Sequence, residues 1–261
     1  RGLGDVYKRQ YMEPGLYMFP AYQDTIRSCI LHSPLNPKKE YAYSDLGFIL
    51  LKFAVEHVTE KSLDQYCQEE FYRKLGMHHT DFLAHKRLNK NNLVPSCVDK
   101  LYRKTELKGY VHDPIAALLG GIAGHAGLFS TAEDLAKMMQ LYLNGGTYGG
   151  EYYFSPETMV TFSCKNNLFP KNRRGLGFDK PEPDQTKINP VSKCLPLTSF
   201  GHTGFTGIMA WCDPDNKLLY LFLSNRTYPD EFNTKLSEMN IRTQIQDIIS
   251  VSYTHLTLPT I

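Results

Sequence analysis

Between Ile208 and Leu223 the chain carries two apolar runs, Ile208-Met-Ala-Trp-Cys212 and Leu218-Leu-Tyr-Leu-Phe-Leu223, around the cluster Asp213-Pro-Asp-Asn216. Two β-rich runs about such a turn predict a hairpin over 207–224. The stretch leading into it reads Gly201-His-Thr-Gly-Phe-Thr-Gly207. Glycines at 201, 204 and 207 predict a nearly bare strand edge that another backbone or a ligand can approach closely. With one His and two Thr on that edge, the stretch is a candidate binding ledge. On its own it reads first as a turn-rich entry to a hairpin.

The rest of the chain supplies mainly helices. Residues 11–40 are rich in Pro and Tyr and predict irregular structure. Ser44 or Asp45 is placed to cap a helix whose apolar residues Leu46, Ile49, Leu50, Phe53, Ala54 and Val58 recur at helical spacing. Ser62 opens a second helix through Leu75, closed by Gly76. Residues 77–126 look mostly loop-like, with a short apolar segment at Ile115–Ile122. Ser130-Thr-Ala-Glu133 has the form of a capping box ahead of a helix through Leu143, and Ser155-Pro156 starts another. Gly175-Leu-Gly-Phe178 suggests a short strand, residues 179–196 a surface excursion, and Asn233–Ile248 a last helix. Helices, a two-strand unit and a further helix make an α+β class.

Both ends look foreign to this pattern. Residues 1–10 and 250–261 resemble translated adaptor sequence, which leaves 11–249 as the native part and predicts a chain cut from a longer gene product. Charge adds an exclusion. The chain has 29 basic and 27 acidic residues; without Arg1, Asp5, Lys8 and Arg9 the balance is 26 to 26. A neutral interior offers no electrostatic footprint for nucleic acid. No apolar run approaches the ~20 residues a membrane span needs. Six cysteines, at 29, 67, 97, 164, 194 and 212, show no Cys-x-x-Cys pair and no disulfide framework.

Motifs for several chemistries are missing. His78, His79, Asp81 and His85 cluster without metal-ligand spacing, so a solvated loop is expected there and neither metal nor cofactor is called. His112-Asp113 predicts a turn, because adjacent residues seldom face each other, and small neighbours around His125 predict tight backbone packing. Neither Gly-x-Ser-x-Gly nor a phosphate-binding Gly loop is present. Tyr43-Ser-Asp45 has more promise, since a phenol ahead of a helix start can act as general base when a nearby cation lowers its pKa.

Taken together, Tyr43-Ser-Asp-Leu-Gly-Phe48, Leu75-Gly-Met-His-His-Thr80, Gly127-Leu-Phe-Ser-Thr-Ala-Glu-Asp-Leu135, Gly175-Leu-Gly-Phe178 and Gly201-His-Thr-Gly-Phe-Thr-Gly207 run in one order over 35–249. In that order they resemble the penicillin-recognising serine hydrolases: class C β-lactamases, D,D-peptidases and related esterases. The resemblance implies a β-lactamase/transpeptidase-like α+β fold, an antiparallel sheet flanked by helices with a helical subdomain. It implies Tyr43 as the general acid/base and His202 in the place of the more usual Lys. Asp45 stands where Asn is usual, and Asp45, Thr203, Gly204 and Phe205 would face substrate, with the Phe205 N–H in the oxyanion hole. The Ser-x-x-Lys that supplies the family's nucleophile is absent, since no Ser here has Lys three positions on. Its loss upstream would leave an inactive fragment of an enzyme that forms an acyl-enzyme on a β-lactam, D-Ala peptide or small ester. The resemblance further implies a small-molecule or cell-wall peptide substrate and a periplasmic or envelope location, with oligomeric state open. A non-catalytic peptidoglycan- or partner-binding module, or an accessory domain of a family 3 glycoside hydrolase, would carry the same ledge.

Overall fold

A computed structural model describes residues 10–256 except 20, 39, 170 and 171. Of the ends set aside above, 1–9 and 257–261 lie outside the described residues. The chain forms two compact units, residues 1–131 with Thr227–Glu231, and residues 132–226 with 232–261. Helices and small antiparallel sheets alternate in both, an α+β architecture.

In the first unit, β1 (Gln10–Glu13) and β2 (Leu16–Met18) pair antiparallel, and α1 (Tyr22–Leu31) follows. Residues 11–40 are therefore more regular than their composition predicts. Pro14 sits in the turn between the strands, and α1 buries no residue fully, its packing on the core coming from the partly buried Ile26 and Ile30. α2 (Leu46–Thr59) begins where predicted, with Ser44 Oγ accepting from the Leu46 N–H at 3.2 Å. Ile49 is its fully buried anchor, whereas Val58 is 80% exposed. α3 (Leu63–Cys67) runs into a π-helical turn at Gln68–Tyr72, and Gly76, at φ +67°, takes the left-handed position at which glycine ends helices.

Residues 77–126 hold more structure than expected: α4 (Ala84–Arg87), the antiparallel pair β3 (Pro95–Asp99) and β4 (Thr105–Lys108), and α5 (Pro114–Leu118). Within the two strands only Cys97 and Leu107 are buried, too few to write an alternating pattern. A buried Arg103 ties it down instead. Its guanidinium donates to Glu13 (2.6 Å), Asp99 (2.7 Å) and the carbonyls of Val111 and His112 (both 2.7 Å), which satisfies a charge that would otherwise be costly inside. The core proper gathers Ile49, Val111, Ala116, Ala117, Leu119 and Ala123.

Near the end of the first unit's long segment, Ser130 Oγ pairs with Thr80 Oγ1 at 2.7 Å. In the second unit, α6 (Ala132–Leu143) starts inside the predicted capping box. A two-strand turn, β5 (Thr147–Tyr148) with β6 (Glu151–Tyr152), leads to α7 (Pro156–Ser163), capped as predicted by Ser155 Oγ accepting from Thr158 N–H. The expected hairpin forms as β8 (Met209–Asp213) and β9 (Leu218–Phe222), and β7 (Phe200–Thr203) pairs with β8 to make a three-stranded sheet. One sheet face, with Phe200 and Cys212, packs on Met139 and Met159 of α6 and α7. The other, with Met209, Trp211 and Tyr220, packs on Val191 and Leu195. The excursion 179–196 is irregular, as predicted, yet it lends these two residues to the core. Gly175–Phe178 is a turn closed by Gly175 N–H on the Phe178 carbonyl at 3.0 Å, not the strand its sequence suggests. The last predicted helix breaks in two, α8 (Lys235–Glu238) and α9 (Ile241–Leu256), at Asn240 with φ +50°. α9 runs on through 250–256, part of the end set aside as foreign. Among the described residues no helix is long and apolar enough to cross a membrane.

Candidate active site

Four of the six predicted site residues lie together at one end of β7, the edge strand of its sheet. Tyr43 and Asp45 lie together in the first unit, at the entry to α2.

β7 pairs His202 with Ala210 and Thr203 with Met209, which turns these two neighbours to opposite faces of the sheet. The three glycines prove unequal. A Cβ on Gly201 would meet the Ala210 carbonyl oxygen at 2.2 Å and Trp211 Cγ at 2.6 Å, so this glycine is needed by the chain's own packing. Gly207, at φ +105°, is closed by Ser224 Oγ at 2.3 Å. Only at Gly204 is there room, the nearest atom being Ile208 Cβ at 3.5 Å. An added side chain thus finds room at Gly204 alone of the three, and at Gly201 the outer edge is taken by Asp179, whose backbone exchanges both hydrogen bonds with it (2.7 and 3.1 Å).

His202 is held at both ring nitrogens, Nε2 by Arg174 Nη1 and Nδ1 by the Thr203 carbonyl, each at 2.7 Å. Arg174 Nη2 donates to Asp179 Oδ2 (3.0 Å), which also accepts from Arg173 Nη2 (2.8 Å). Asp179 is buried, at 2% exposure. Beyond β7 the Phe205 ring is 62% exposed and lies 4.4 Å from the Arg226 guanidinium, a cation–π pair. Arg242 donates to the Ile208 carbonyl at 3.2 Å, and burial, with the nearby Arg226 charge, pushes its pKa below the usual arginine range. Arginines therefore flank the ledge, where the sequence drew attention to His and Thr alone. Their one visible cue is the doublet Arg173-Arg174 just before Gly175-Leu-Gly177.

Tyr43 stands outside regular structure and is 56% exposed; Asp45 occupies the N-cap position of α2 without a side-chain capping bond. Gly124 packs where its Cβ would fall 2.1 Å from the Phe48 carbonyl oxygen of α2, the tight packing expected around His125. His112 and Asp113 do not face each other. His112 pairs with Glu231 at 2.9 Å, while Asp113 caps α5 and accepts from His125 Nε2 at 2.9 Å. Burial alone would raise the Asp113 carboxyl, but the His125 and Ala116 hydrogen bonds outweigh it and hold the pKa below its usual value. Where the sequence clusters His78, His79, Asp81 and His85, Asp81 binds Arg87 at 2.7 Å and His85 stacks on Tyr110 at 4.0 Å.

A strand edge open at one glycine, beside a hydrogen-bonded imidazole and a cationic rim, is suited to aligning an extended or acyl substrate along the backbone. The chain is 36% identical over 215 residues to a protein of Escherichia coli K12 named "Putative D-alanyl-D-alanine carboxypeptidase", a match covering 76% of this chain and 48% of that one. The chain spans about half the length of that relative. Among solved structures it resembles a beta-lactamase from Mycobacterium bovis (TM-score 0.56, 20% identity, 84% of this chain and 67% of that one). It also resembles a penicillin-binding protein homologue from Caulobacter crescentus (TM-score 0.54, 18% identity, 83% and 61%). The family profile described as Beta-lactamase matches residues 7–239, and with this architecture in place the chain belongs to the beta-lactamase family.

Proposed function

We propose that these 261 residues carry the second and third motifs of a serine hydrolase that opens an ester or amide through an acyl-enzyme. The observation that carries this is the ledge: a third motif that runs off an edge strand into Gly204, where an added Cβ would meet nothing nearer than 3.5 Å. Membership of the beta-lactamase family supports it. In this scheme Tyr43 moves the proton between the nucleophile and the leaving group, a contribution of about 10²–10⁴ in rate for a positioned acid/base. Thr203 faces the substrate, His202 on the opposite face of the sheet holds the ledge in shape, and Asp45 sits near the base. The Phe205 N–H shares the acyl oxygen with the nucleophile's own N–H, one such donor being worth ~10²–10³. Ser and Lys come from polypeptide outside these residues, since no Ser-x-x-Lys is present. The likeness to a protein named as a carboxypeptidase supports a peptide ending in D-Ala as substrate; the periplasmic or envelope location stays what the family resemblance implies. Residues 11–249 would then be one catalytic domain's share of this chain.

The test is to recover the native coding sequence upstream of Tyr11 and express it with this chain. A Ser-x-x-Lys in frame, labelled by a fluorescent penicillin or turning over a p-nitrophenyl ester, is the expected result. Its absence would sink the hydrolase. The present chain should label with neither reagent, and covalent labelling of it would reveal a nucleophile elsewhere.

A further inference from the structure

The contacts of His202 fix where its proton sits. A guanidinium only donates hydrogen bonds, so Nε2, 2.7 Å from Arg174 Nη1, must be the bare acceptor. A carbonyl only accepts, so Nδ1, 2.7 Å from the Thr203 oxygen, must carry the hydrogen. The ring is then neutral, in the Nδ1–H form. Its bond falls on the peptide joining Thr203 to Gly204, and the N–H of that same peptide donates to the Ile208 carbonyl at 2.7 Å. Both ends of this peptide plane are therefore held, immediately ahead of Phe205.

The hold begins further back. Arg174 is anchored through Asp179, whose other oxygen accepts the Lys180 N–H at 2.8 Å, and its own backbone is tied to the buried Asn172 at 2.9 and 3.0 Å. The donors then point one way in series: guanidinium to imidazole, imidazole to peptide carbonyl, peptide N–H to the Ile208 carbonyl. Such chains polarise and stiffen one another. Among the described residues, Arg174 carries the charge bonded to the ring, and it joins an ion-pair group with Asp179, Arg173 and, 3.9 Å from Arg173, Glu182.

We propose that Arg174 is a positioning residue of the third motif: it locks His202 in the Nδ1–H tautomer, and the locked ring pins the Thr203–Gly204 peptide that leads into Phe205. The functional meaning rests on the hydrolase reading; the tautomer does not. With both nitrogens committed, His202 orients the ledge and leaves proton transfer to another group.

The experiment uses this chain labelled with ¹⁵N-histidine, with the His202 ring assigned by loss of its signals in His202→Gln. At neutral pH, long-range ¹H–¹⁵N spectra should show a protonated-type Nδ1 and an acceptor-type Nε2. An Nε2–H form, a doubly protonated ring or a tautomer-averaged spectrum in the unaltered chain would overturn the proposal, whatever the variants do. In Arg174→Gln the His202 signals should move toward the average of the two tautomers. An unshifted spectrum from a folded Arg174→Gln would also overturn it, because the Thr203 carbonyl alone would then set the ring. No substrate enters the measurement, so its failure is separable from failure of the hydrolase assay above.

Discussion

Gly201 and Gly204 look alike in the sequence and should respond oppositely to a single added methyl group. In Gly201→Ala the new Cβ would lie 2.2 Å from the Ala210 carbonyl oxygen and 2.6 Å from Trp211 Cγ, both fixed in the middle strand of the sheet. Neither is the end of a flexible side chain, so β7 must move off β8, and overpacking of this kind costs about 1–3 kcal/mol. In Gly204→Ala the nearest atom is 3.5 Å away and the backbone has no positive φ, so stability should stay within about 0.5 kcal/mol. Trp211 is the chain's one tryptophan and lies beside Gly201, 1% exposed, so its emission follows this unit directly during urea unfolding. With a urea slope of about 2 kcal/mol/M, the Gly201→Ala midpoint should fall by roughly 0.5–1.5 M, with little change for Gly204→Ala. Equal midpoints for the two variants would refute the division of the ledge into a packed end and an open end.

In a polypeptide that joins this chain to its Ser-x-x-Lys, Tyr43→Phe should slow acylation by about 10²–10⁴ with no loss of stability, since the side chain is 56% exposed; an unchanged labelling rate would remove Tyr43 from the chemistry. Burial works to raise the Asp64 carboxyl, but Ser62 and Arg87 hydrogen bonds outweigh it and leave the pKa below its usual value. Its folded pKa being depressed, its stabilisation is present above the unfolded value near ~4 and is lost as pH falls through the folded value. Asp64→Asn should therefore be less stable at pH 7 by about 1–3 kcal/mol and lose less on acidification, and parallel pH–stability curves would contradict this. Thiol titration with Ellman's reagent should find Cys29, Cys164 and Cys194 reactive in the native chain. Burial pushes the Cys97 thiol up to about 11 and raises Cys212 as well, so both should react only in denaturant; fast modification of either would contradict its placement.

What could be read from the sequence follows the range of the interactions. α2, α7 and the β8–β9 hairpin are written locally, by a cap, a proline at the first turn, or an Asp-Pro-Asp-Asn turn between apolar runs, and each stands where expected. β3 and β4 were not legible because they bury one residue apiece and owe their fixation to Arg103, whose partner Glu13 is distant in sequence. α1 rests on two partly buried residues, Ile26 and Ile30, too short a stripe to stand out among the prolines and tyrosines around it. At the ledge the motif residues were visible, but the meaning of their glycines was not. Spacing alone cannot separate a glycine required by Trp211 across the sheet from one that faces open space. Arg174 and Asp179 escaped for a related reason: they flank the stretch 175–178 that resembled a strand, Asp179 opening the excursion 179–196, and they reach β7 only through tertiary contact.

The identity of residue 202 then acquires a physical reason. A lysine ammonium has three donors and no acceptor, so it could not take the bond that Arg174 offers at 2.7 Å; two cations would oppose each other there. An imidazole accepts from the guanidinium with one nitrogen and donates to the Thr203 carbonyl with the other, which makes it a link where lysine would be a terminus. His202 is thus matched to Arg174, and Arg174 to Asp179, whose backbone doubles as the outer partner of Gly201. The strand edge and the side-chain chain are fastened at the same residue. Removing the Asp179 carboxylate should accordingly be felt at Arg174 and through it at the His202 ring, whose ¹⁵N shifts report it, while the backbone pairing with Gly201 stays in place.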